Sequence, residues 1–449
     1  MARRSACRAG GFRQHKKKVL TTTALELVPA RTPLAGNTNT TGHHSPSRMY
    51  ALCSFRPDDK AADSAAEWTG WRGAARDGRV AWLPDSLPKS PEFAWSAELS
   101  GDGLGGIAAG QGFVVTGSRD ALDRHDVFQC FDAKEGTLVW QHLYPVSGKL
   151  DYGNSPRATP LIHGDCVYTL GAFGHLCCLE LESGIVLWQR NLAADFQSPH
   201  MIWGHSGSPL IAGGHLIVQP GGKKASLVAI DPETGEDVWT TEGIDASYSS
   251  FVAMKTGTIE QVIGYDAKSL GGWDAKTGKR LWSLIPPELG DFNVPTPVVL
   301  GERLLVSSEN NGTRIYHFNP DGTLHTQPDA QNDDLKPDSH TPVESQGRIY
   351  GIWNDLYELD PADQLKTRNT LKDDAFTGYG CLIASDNRLL ALTIEGELLL
   401  ISTDGDAPKI LSRLSLTDDN VQVMSHPALV GKSLFVRVGS ALSCLELGQ

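Results

Sequence analysis

Long hydrophobic runs are missing from this sequence. No stretch of the 449 residues approaches the roughly eighteen consecutive apolar positions that a membrane-spanning helix requires. Helical periodicity is nearly absent too, because short apolar runs alternate with a period of two and end at Gly, Pro, Asn or Asp. The C-x-x-C-H motif of covalent haem attachment does not occur. We therefore expect an all-β protein that has no transmembrane segment.

Positive charge is scarce outside the amino-terminal region. The net charge is −13, and residues 1–66 contain eleven Lys/Arg and four Asp/Glu, so the remainder carries −20. A chain with that balance repels phosphates, which excludes nucleic acid as a general partner. The basic head resembles a secretory signal, but Glu26 and three threonines interrupt its apolar core. We expect residues 1–66 to be a disordered basic tail or a mis-assigned start, and this region does not exclude a cytoplasmic location.

A hairpin pattern recurs along the chain. It is clearest in Gly174–Leu192, where an alternating run turns at Glu182-Ser183-Gly184 and a second run reaches Trp188. The same pattern ends at five tryptophans, Trp95, Trp140, Trp188, Trp239 and Trp282, at intervals of 45, 48, 51 and 43 residues. A fixed period of this size built from hairpins predicts a β-propeller. Their shared position in the repeat predicts that these tryptophans are structural residues that dock one blade on the next.

The start of each repeat gives a separate count. Pro160, Pro209, Pro297, Pro342 and Pro427 precede short apolar runs, and comparable runs without proline begin near Ile107, Phe251 and Leu382. These eight starts lie about 46 residues apart, which is within the range of propeller repeats. We predict eight four-stranded antiparallel blades over residues 92–449, preceded by a turn-rich lead-in at 67–91. Residues 91–99 form half a hairpin, and 441–447 lack the partner strand, so we expect the N-terminal strand to close the last blade.

The repeated phrase resembles the pyrroloquinoline-quinone (PQQ) repeat family. The pattern is a small residue, an apolar residue, Asp/Glu and then T/S-G-x-x-x-W, and its best copies are at 128–140, 178–188, 229–239 and 273–282. The family includes quinoprotein alcohol dehydrogenases and the β-barrel assembly lipoprotein of outer membranes, BamB, all of them eight-bladed propellers. The resemblance implies a bacterial protein in the periplasm or another extracytoplasmic compartment. The resemblance is strong evidence for the fold but weak evidence for an activity, because the dehydrogenases are catalysts and BamB is a scaffold, and both share the repeat.

Polar residues are concentrated before the predicted innermost strands, where a propeller presents groups to its central channel. We predict a ligand- or partner-binding site there, formed by Asp151, Asn154, Arg157, Trp203, His205, Tyr248, Asn293, Asp338, His340, Tyr379 and His426. Side chains that merely line a wet channel are the alternative interpretation. If the residues converge, Arg157 and the histidines predict a locally positive pocket for an anionic or carbonyl-bearing ligand.

The resemblance also raises the question of a quinone cofactor. Dehydrogenases of the family use PQQ with Ca²⁺ bound by Glu, Asn and Asp oxygens, an Asp base and a vicinal disulfide. Cys177 and Cys178 do not fit that disulfide, because neighbours in an alternating strand point to opposite faces. Asp151, Asn154, Asn293 and Asp338 offer oxygens, but nothing in the sequence brings them together. PQQ and Ca²⁺ remain possible, and no cofactor, metal or catalytic residue is assigned.

Two functions follow as hypotheses. The first is a non-catalytic, BamB-like propeller, a monomer that binds a protein partner or small ligand at its channel face. The alternative is a quinoprotein-type oxidoreductase with a divergent site. PQQ and Ca²⁺ binding by the purified protein would distinguish them.

Overall fold

Thirty-two strands form eight four-stranded antiparallel sheets in the part of the chain that the computed structural model describes, residues 67–417 and 421–448. Strand β1 covers Phe93–Glu98. Blades 1 to 4 follow in chain order: β2 Ala108–Gly110, β3 Phe113–Arg119, β4 His125–Asp132, β5 Leu138–Pro145; β6 Leu161–His163, β7 Cys166–Leu170, β8 His175–Glu180, β9 Val186–Asn191; β10 Leu210–Ala212, β11 His215–Val218, β12 Val228–Ile230, β13 Asp237–Thr240; β14 Val252–Thr256, β15 Ile259–Tyr265, β16 Leu270–Asp274, β17 Arg280–Leu284.

Blades 5 to 8 repeat the arrangement. Their strands are β18 Val298–Leu300, β19 Arg303–Ser308, β20 Gly312–His317, β21 Ala330–Asn332; β22 Val343–Ser345, β23 Arg348–Trp353, β24 Asp355–Asp360, β25 Lys366–Leu371; β26 Gly380–Ala384, β27 Arg388–Thr393, β28 Glu397–Ser402, β29 Lys409–Ser415; β30 Ala428–Val430, β31 Ser433–Val438, β32 Ala441–Glu446. Helix is limited among the described residues to α1, Leu192–Phe196, and one 3₁₀ turn, Asp374–Phe376. The predicted tail, residues 1–66, lies outside the described residues.

The sheets are arranged as blades of a propeller. Within blades 1 to 7 the strands pair in chain order, and the first strands of neighbouring blades contact one another around the centre. The last blade has the order β1-β32-β31-β30, so the N-terminal strand forms its outer edge. Trp95 faces Cys444 and Ala97 faces Leu442 in that pairing. The predicted eight-bladed, all-β fold and its closure by the N-terminal strand are confirmed.

The repeat tryptophans join each blade to the next. The indole Nε1 of Trp140 donates to the carbonyl of Leu181 at 2.7 Å, and that of Trp188 donates to Pro232 at 2.9 Å. Trp95 and Trp239 make the same contact with Ala133 and Ala275. Both the buried ring area and the satisfied N–H therefore stabilise four successive blade junctions.

The packing of the tryptophan also explains why the repeated turn contains a glycine. Gly184 has a φ of 70°, and a Cβ there would lie 2.6 Å from the ring of Trp140. Gly136, Gly235 and Gly278 meet Trp95, Trp188 and Trp239 in the same way. The turn thus needs glycine both for its left-handed backbone and for the close approach of the preceding blade's tryptophan.

Small residues face the tryptophans across the sheet. Cys130, Cys178, Ala229 and Gly272 pair directly with Trp140, Trp188, Trp239 and Trp282, as the shared repeat position predicts. Cys178 pairs with Tyr168 on the other side, and Cys177 pairs with Thr169, so the two thiols lie on opposite faces. Both are free and buried. Rejection of a vicinal disulfide is therefore confirmed.

Blades without the tryptophan use shorter polar side chains. Asn369 pairs with Glu358 at the position of the bulge, and its Nδ2 donates to the carbonyl of Asp406 at 2.8 Å. Asn332 donates to the carbonyl of Leu365 at 2.9 Å. These amides replace the hydrogen bond of the indole but bury less apolar surface, so we expect weaker junctions at these blades.

Candidate binding face at the central channel

Residues 67–80, here called the channel segment, lie against the innermost strands. Trp68 and Ala109 exchange two backbone hydrogen bonds of 2.9 and 2.8 Å, which join the segment to blade 1. The amide of Ile162 in blade 2 donates to the carbonyl of Thr69 at 2.8 Å. At the other end Val80 donates to Ala384 of blade 7 at 2.8 Å. The segment therefore runs across the centre of the ring from blade 1 to blade 7.

Two buried arginines fix the middle of the channel segment. Arg72 donates to the carbonyls of Thr341 and Pro342 at 2.9 and 3.0 Å. Arg76 donates to Pro209 at 2.7 Å and Ser208 at 3.1 Å. Burial lowers the pKa of Arg72 to about 10 and that of Arg76 to about 9. The repeated Ser/Thr-Pro phrase thus supplies carbonyl acceptors that face the centre of the ring.

Hydroxyls in the segments before the innermost strands link neighbouring blades. The amide of Thr159 donates to Ser208 Oγ, that of Ser208 to Ser250 Oγ, and that of Thr296 to Thr341 Oγ1, each at 3.0 Å. Trp71 Nε1 donates to Thr296 Oγ1 at 3.0 Å. These hydroxyls are committed to the fold, so they are poor candidates for ligand contacts.

The three predicted histidines carry no charge at neutral pH. Desolvation lowers the pKa of His205 to about 4 and that of His340 to about 3. The pKa of His426 is lowered to about 3 by desolvation and by the nearby charge of Arg72, and its ring lies 4.3 Å from that of Trp71. None of them adds positive charge to the channel.

Arg157 and Asn154 form hydrogen bonds with nearby residues of the same face. The Arg157 guanidinium donates to the carbonyls of Ser155, Asp151 and Gly153. Burial lowers its pKa to about 10. Asn154 Nδ2 donates to both carboxylate oxygens of Asp123, at 2.8 and 3.0 Å. These contacts give both side chains a local structural role in the folded chain.

The segments that lead into the innermost strands, here called the mouth loops, carry exposed aromatic rings. Trp203 contacts Tyr248 and Phe292, with ring centroids 4.7 Å apart in both pairs. The side chains of Tyr379 and Tyr152 lie close enough to interact, although they belong to the loops entering blades 7 and 2. Phe292 is 52% exposed and Tyr152 is 54% exposed. Exposed rings on a rigid face are typical of protein-binding surfaces.

A cavity of about 510 Å³ opens between blades 6, 7 and 8 on this face. Among the residues that the structure describes, the lining contains three carboxylates, two large aromatic rings and neutral polar and apolar groups but no Lys or Arg: Asp338, Asp374, Glu395, Trp353, Tyr379, His340, Ser339, Asn354, Thr377, Gln422, Ile352, Ala375, Gly378, Gly380 and Ile394. His340 Nδ1 contacts the carbonyl of Gly380 at 3.2 Å, and its Nε2 has no hydrogen-bond partner within residues 67–417 and 421–448. Carboxylates without a neighbouring cation favour a positively charged group as the occupant.

The structure distributes the eleven predicted site residues over several places. Asp338, His340 and Tyr379 line the cavity, while Trp203 and Tyr248 lie in the aromatic cluster. Asn293 is buried with a φ of 53°, and its Oδ1 has no hydrogen-bond partner within the described part of the chain. Sequence reasoning missed Trp353, Asp374 and Glu395 because they lie in turns whose proximity arises only from blade packing. It also missed Arg72 and Arg76, which belong to a segment without periodicity.

The oxygens proposed for Ca²⁺ do not form a ligand set. The Asn154 amide is bound to Asp123, and Asp338 lies at the cavity between blades 6, 7 and 8. Among residues 67–417 and 421–448 the group of three His, Cys, Asp or Glu donors within ligand distance is His317, His325 and Asp329, which does not include these oxygens. The buried guanidinium donors are already bound to carbonyls. The residues present thus do not fit a calcium-bound quinone.

The fold and the repeated indole contact define a PQQ-like repeat propeller. The family model described as outer membrane protein assembly factor BamB matches residues 123–370, and the chain belongs to this family. It is 26% identical over 228 residues to quinohemoprotein alcohol dehydrogenase ADH-IIG of Pseudomonas putida, which covers 45% of this chain and 31% of that protein. It is 24% identical over 190 residues to BamB of Yersinia pestis, covering 41% of this chain and 43% of BamB. The chain therefore spans less than half of either relative.

Solved structures of both kinds share the fold. BamB from Moraxella catarrhalis superposes with a TM-score of 0.52 at 14% identity, covering 79% of this chain and 97% of that chain. Quinohemoprotein alcohol dehydrogenase ADHIIG of Pseudomonas putida gives a TM-score of 0.58 at 11% identity, covering 86% and 81%. At these identities the likeness concerns the fold alone. Within the described residues, no helix has the length and apolar character needed to cross a membrane.

Proposed function

We propose that this protein is a non-catalytic binding module that contacts a protein partner through its mouth loops. The observation that carries the proposal is the channel segment, which places Trp71, Arg72 and Arg76 among the innermost strands. Because these side chains already donate to groups of the blades, we place the contacts with a partner on the mouth loops. Exposed aromatic rings and the carboxylate-lined cavity lie on that face.

The partner should present basic groups. Asp338, Asp374 and Glu395 line the cavity without a Lys or Arg, and the channel histidines are neutral. A Lys or Arg side chain would find carboxylate acceptors together with the faces of Trp353 and Tyr379. This favours a cationic contact over the anionic ligand that the sequence pattern suggests. BamB relatives are named as outer membrane protein assembly factors, which supports an extracytoplasmic location for this chain.

Site-specific photo-crosslinking tests the proposal. A benzoylphenylalanine replaces Tyr379 or Phe292 on the mouth loops, and Ile185 in the β8–β9 turn serves as the matched control on the opposite face. We expect a discrete heteromeric adduct from the first two positions and none from Ile185. The adduct should weaken in high salt and in the Asp338→Asn/Glu395→Gln double variant. Equal crosslinking from both faces, or an adduct indifferent to the carboxylates, would contradict this assignment.

A quinoprotein-type oxidoreductase is the second candidate, and the match to ADH-IIG favours it. Its test uses the purified full-length protein with PQQ and Ca²⁺ added. Saturable binding of PQQ with an altered absorption spectrum, together with alcohol-dependent dye reduction, would support this candidate. A spectrum equal to that of free PQQ in buffer would support the binding module.

A further inference from the structure

A cluster of two histidines and an aspartate lies on blade 5, on the face opposite the mouth loops. His317 ends β20, and the chain turns at Asp321-Gly322 and returns past His325 to Asp329. The amide of His325 donates to the carbonyl of His317 at 3.0 Å, and that of Asp329 donates to Ile315 at 2.8 Å. A bridge between Phe318 and Leu324 closes the turn. The backbone therefore holds all three residues in a fixed register.

The three side chains converge outside this hairpin. His317 Nδ1 lies 2.6 Å from Asp329 Oδ1. The imidazoles of His317 and His325 stack with centroids 4.5 Å apart and an interplanar angle of 20°. One donor atom from each of the three residues lies within 4.8 Å of the others. Because Asp329 is exposed and His325 is at least partly exposed, modest side-chain rotations can bring the donors closer.

We propose that His317, His325 and Asp329 form a surface site for a divalent transition metal, with Zn²⁺ as the best match. Two imidazole nitrogens and one carboxylate oxygen are a Zn²⁺ donor set, and water would take the fourth tetrahedral position. At Zn–ligand distances of about 2.0–2.1 Å, tetrahedral donors lie roughly 3.3–3.5 Å apart, so a gap as wide as 4.8 Å needs to close by about 1.4 Å. Ca²⁺ is a poor match because it takes six to eight oxygen ligands.

A plain structural role is the competing explanation. The His317–Asp329 contact would then be an ion pair or hydrogen bond that stiffens the hairpin, and the His325 ring would only pack on it. His325 Nδ1 contacts the carbonyl of Gln327 at 3.0 Å, which fixes this ring and leaves Nε2 for a ligand. A hairpin brace needs no second imidazole, whereas a metal does. The two explanations differ in their response to His325 substitution in the presence of Zn²⁺.

Isothermal titration of the full-length, chelator-treated protein with Zn²⁺ tests the site. We expect one binding step in the micromolar range that His317→Gln and His325→Gln each weaken at least tenfold, while Asp329→Asn weakens it less. His215→Gln, another strand histidine at the protein surface, is the matched control and should retain the step. Zn²⁺ should also raise the Tm of the wild type and of His215→Gln, with reversal by EDTA, but not that of the two site variants.

Two results would overturn the proposal. One is wild-type protein with no Zn²⁺ step tighter than about 1 mM. The other is a step of unchanged affinity in His317→Gln and His325→Gln, which would assign the metal to other donors. Circular dichroism and the metal-free Tm of each variant show whether it is folded, so loss of binding can be separated from loss of structure.

Discussion

At the scale of single residues, the junction between blades depends on ring area as well as on a hydrogen bond. Trp140 is 7% exposed and donates to Leu181 of the next blade, whereas Asn369 makes the equivalent bond with a much smaller side chain. The sequence predicts the tryptophans and their small partners, because both recur at fixed positions. It does not predict Asn369, since asparagine is common in turns and carries no repeat signal of its own.

Comparing Trp140→Ala with Asn369→Ala separates the two contributions. The first removes a large buried ring and a hydrogen bond, so we expect a loss of about 3–5 kcal/mol in unfolding free energy. The second removes the hydrogen bonds to Glu358 and Asp406 but little buried area, so we expect a smaller loss of about 1–2 kcal/mol. Urea denaturation measures both, with Trp82→Ala at an exposed ring as control. Equal losses at the two junctions would mean that ring area contributes little.

The channel histidines make stability depend on pH. The folded-state pKa of His205 is about 4, against 6.5 for an unperturbed imidazole, mainly because the ring is desolvated. Below pH 6.5 the unfolded chain binds a proton that the folded chain refuses until about pH 4, so stability falls as pH decreases through this window. For this residue the loss is about 3 kcal/mol.

His205→Gln removes that titration. The stability difference between wild type and variant should shrink by about 3 kcal/mol between pH 7 and pH 4, as followed by urea denaturation at each pH. Asp126, whose pKa is raised to about 6 by burial, acts in the opposite sense in both proteins and cancels in the comparison. The exposed His200→Gln is the control. A pH-independent difference for His205→Gln would show that the folded protein protonates this ring as readily as the unfolded chain does.

At the scale of elements, the channel segment is the part of the fold whose position the sequence predicts least well. Residues 67–91 were expected to be a turn-rich lead-in, and nothing in their pattern indicates that residues 67–80 line the centre of the ring. Arg72 and Arg76 adopt left-handed backbone conformations with φ of 58° and 57°. Their partners are backbone carbonyls, which every residue has, so the sequence offers no complementary charge to identify them. The blade strands, by contrast, follow from alternation and spacing alone.

Arg76→Ala tests whether the channel segment holds the ring together. It leaves the carbonyls of Ser208 and Pro209 without their charged donor and creates a buried cavity, so we expect a loss of about 3 kcal/mol. Hydrogen exchange of Leu210–Ala212 should accelerate in parallel. Arg79→Ala is the matched control, because Arg79 pairs with Glu344 and Asp386 nearer the solvent and should cost less than about 1 kcal/mol. Similar losses from both variants would show that the segment is held by its backbone rather than by the buried guanidinium.

At the scale of the whole molecule, architecture is predictable and activity is not. Eight evenly spaced starts and an unpaired half-hairpin at each end determine the ring and its closure, because a propeller leaves little freedom once the repeats are counted. The same repeat occurs in BamB and in quinohemoprotein alcohol dehydrogenase, so it does not by itself determine a function. The mouth loops converge from blades far apart in sequence, as Tyr152 and Tyr379 do. The burial and charge of the side chains on these loops depend on how the blades pack, so the sequence alone does not predict them.

The seam between β1 and β32 offers a test of the ring as a unit. Ser96 and Ser443 face each other there with hydroxyl oxygens 2.8 Å apart, although 347 residues separate them in sequence. In the Ser96→Cys/Ser443→Cys variant a disulfide would link the first strand to the last blade. Cys444 does not compete, since neighbouring residues of a strand point to opposite faces. Chain-entropy arguments give up to about 5 kcal/mol for a loop of this length.

We expect the oxidised variant to melt several degrees above the wild type and to return to the wild-type Tm on reduction. Ser433→Cys/Glu446→Cys is the matched control, because these residues face each other between β31 and β32 in the same blade but close only a short loop. Its gain should be smaller, about 3 kcal/mol at most. If the two disulfides raise the Tm equally, linking β1 to β32 has no special effect. Unfolding then does not begin with the separation of these two strands. A larger gain from the seam disulfide would mean that the eight blades unfold cooperatively once β1 leaves β32.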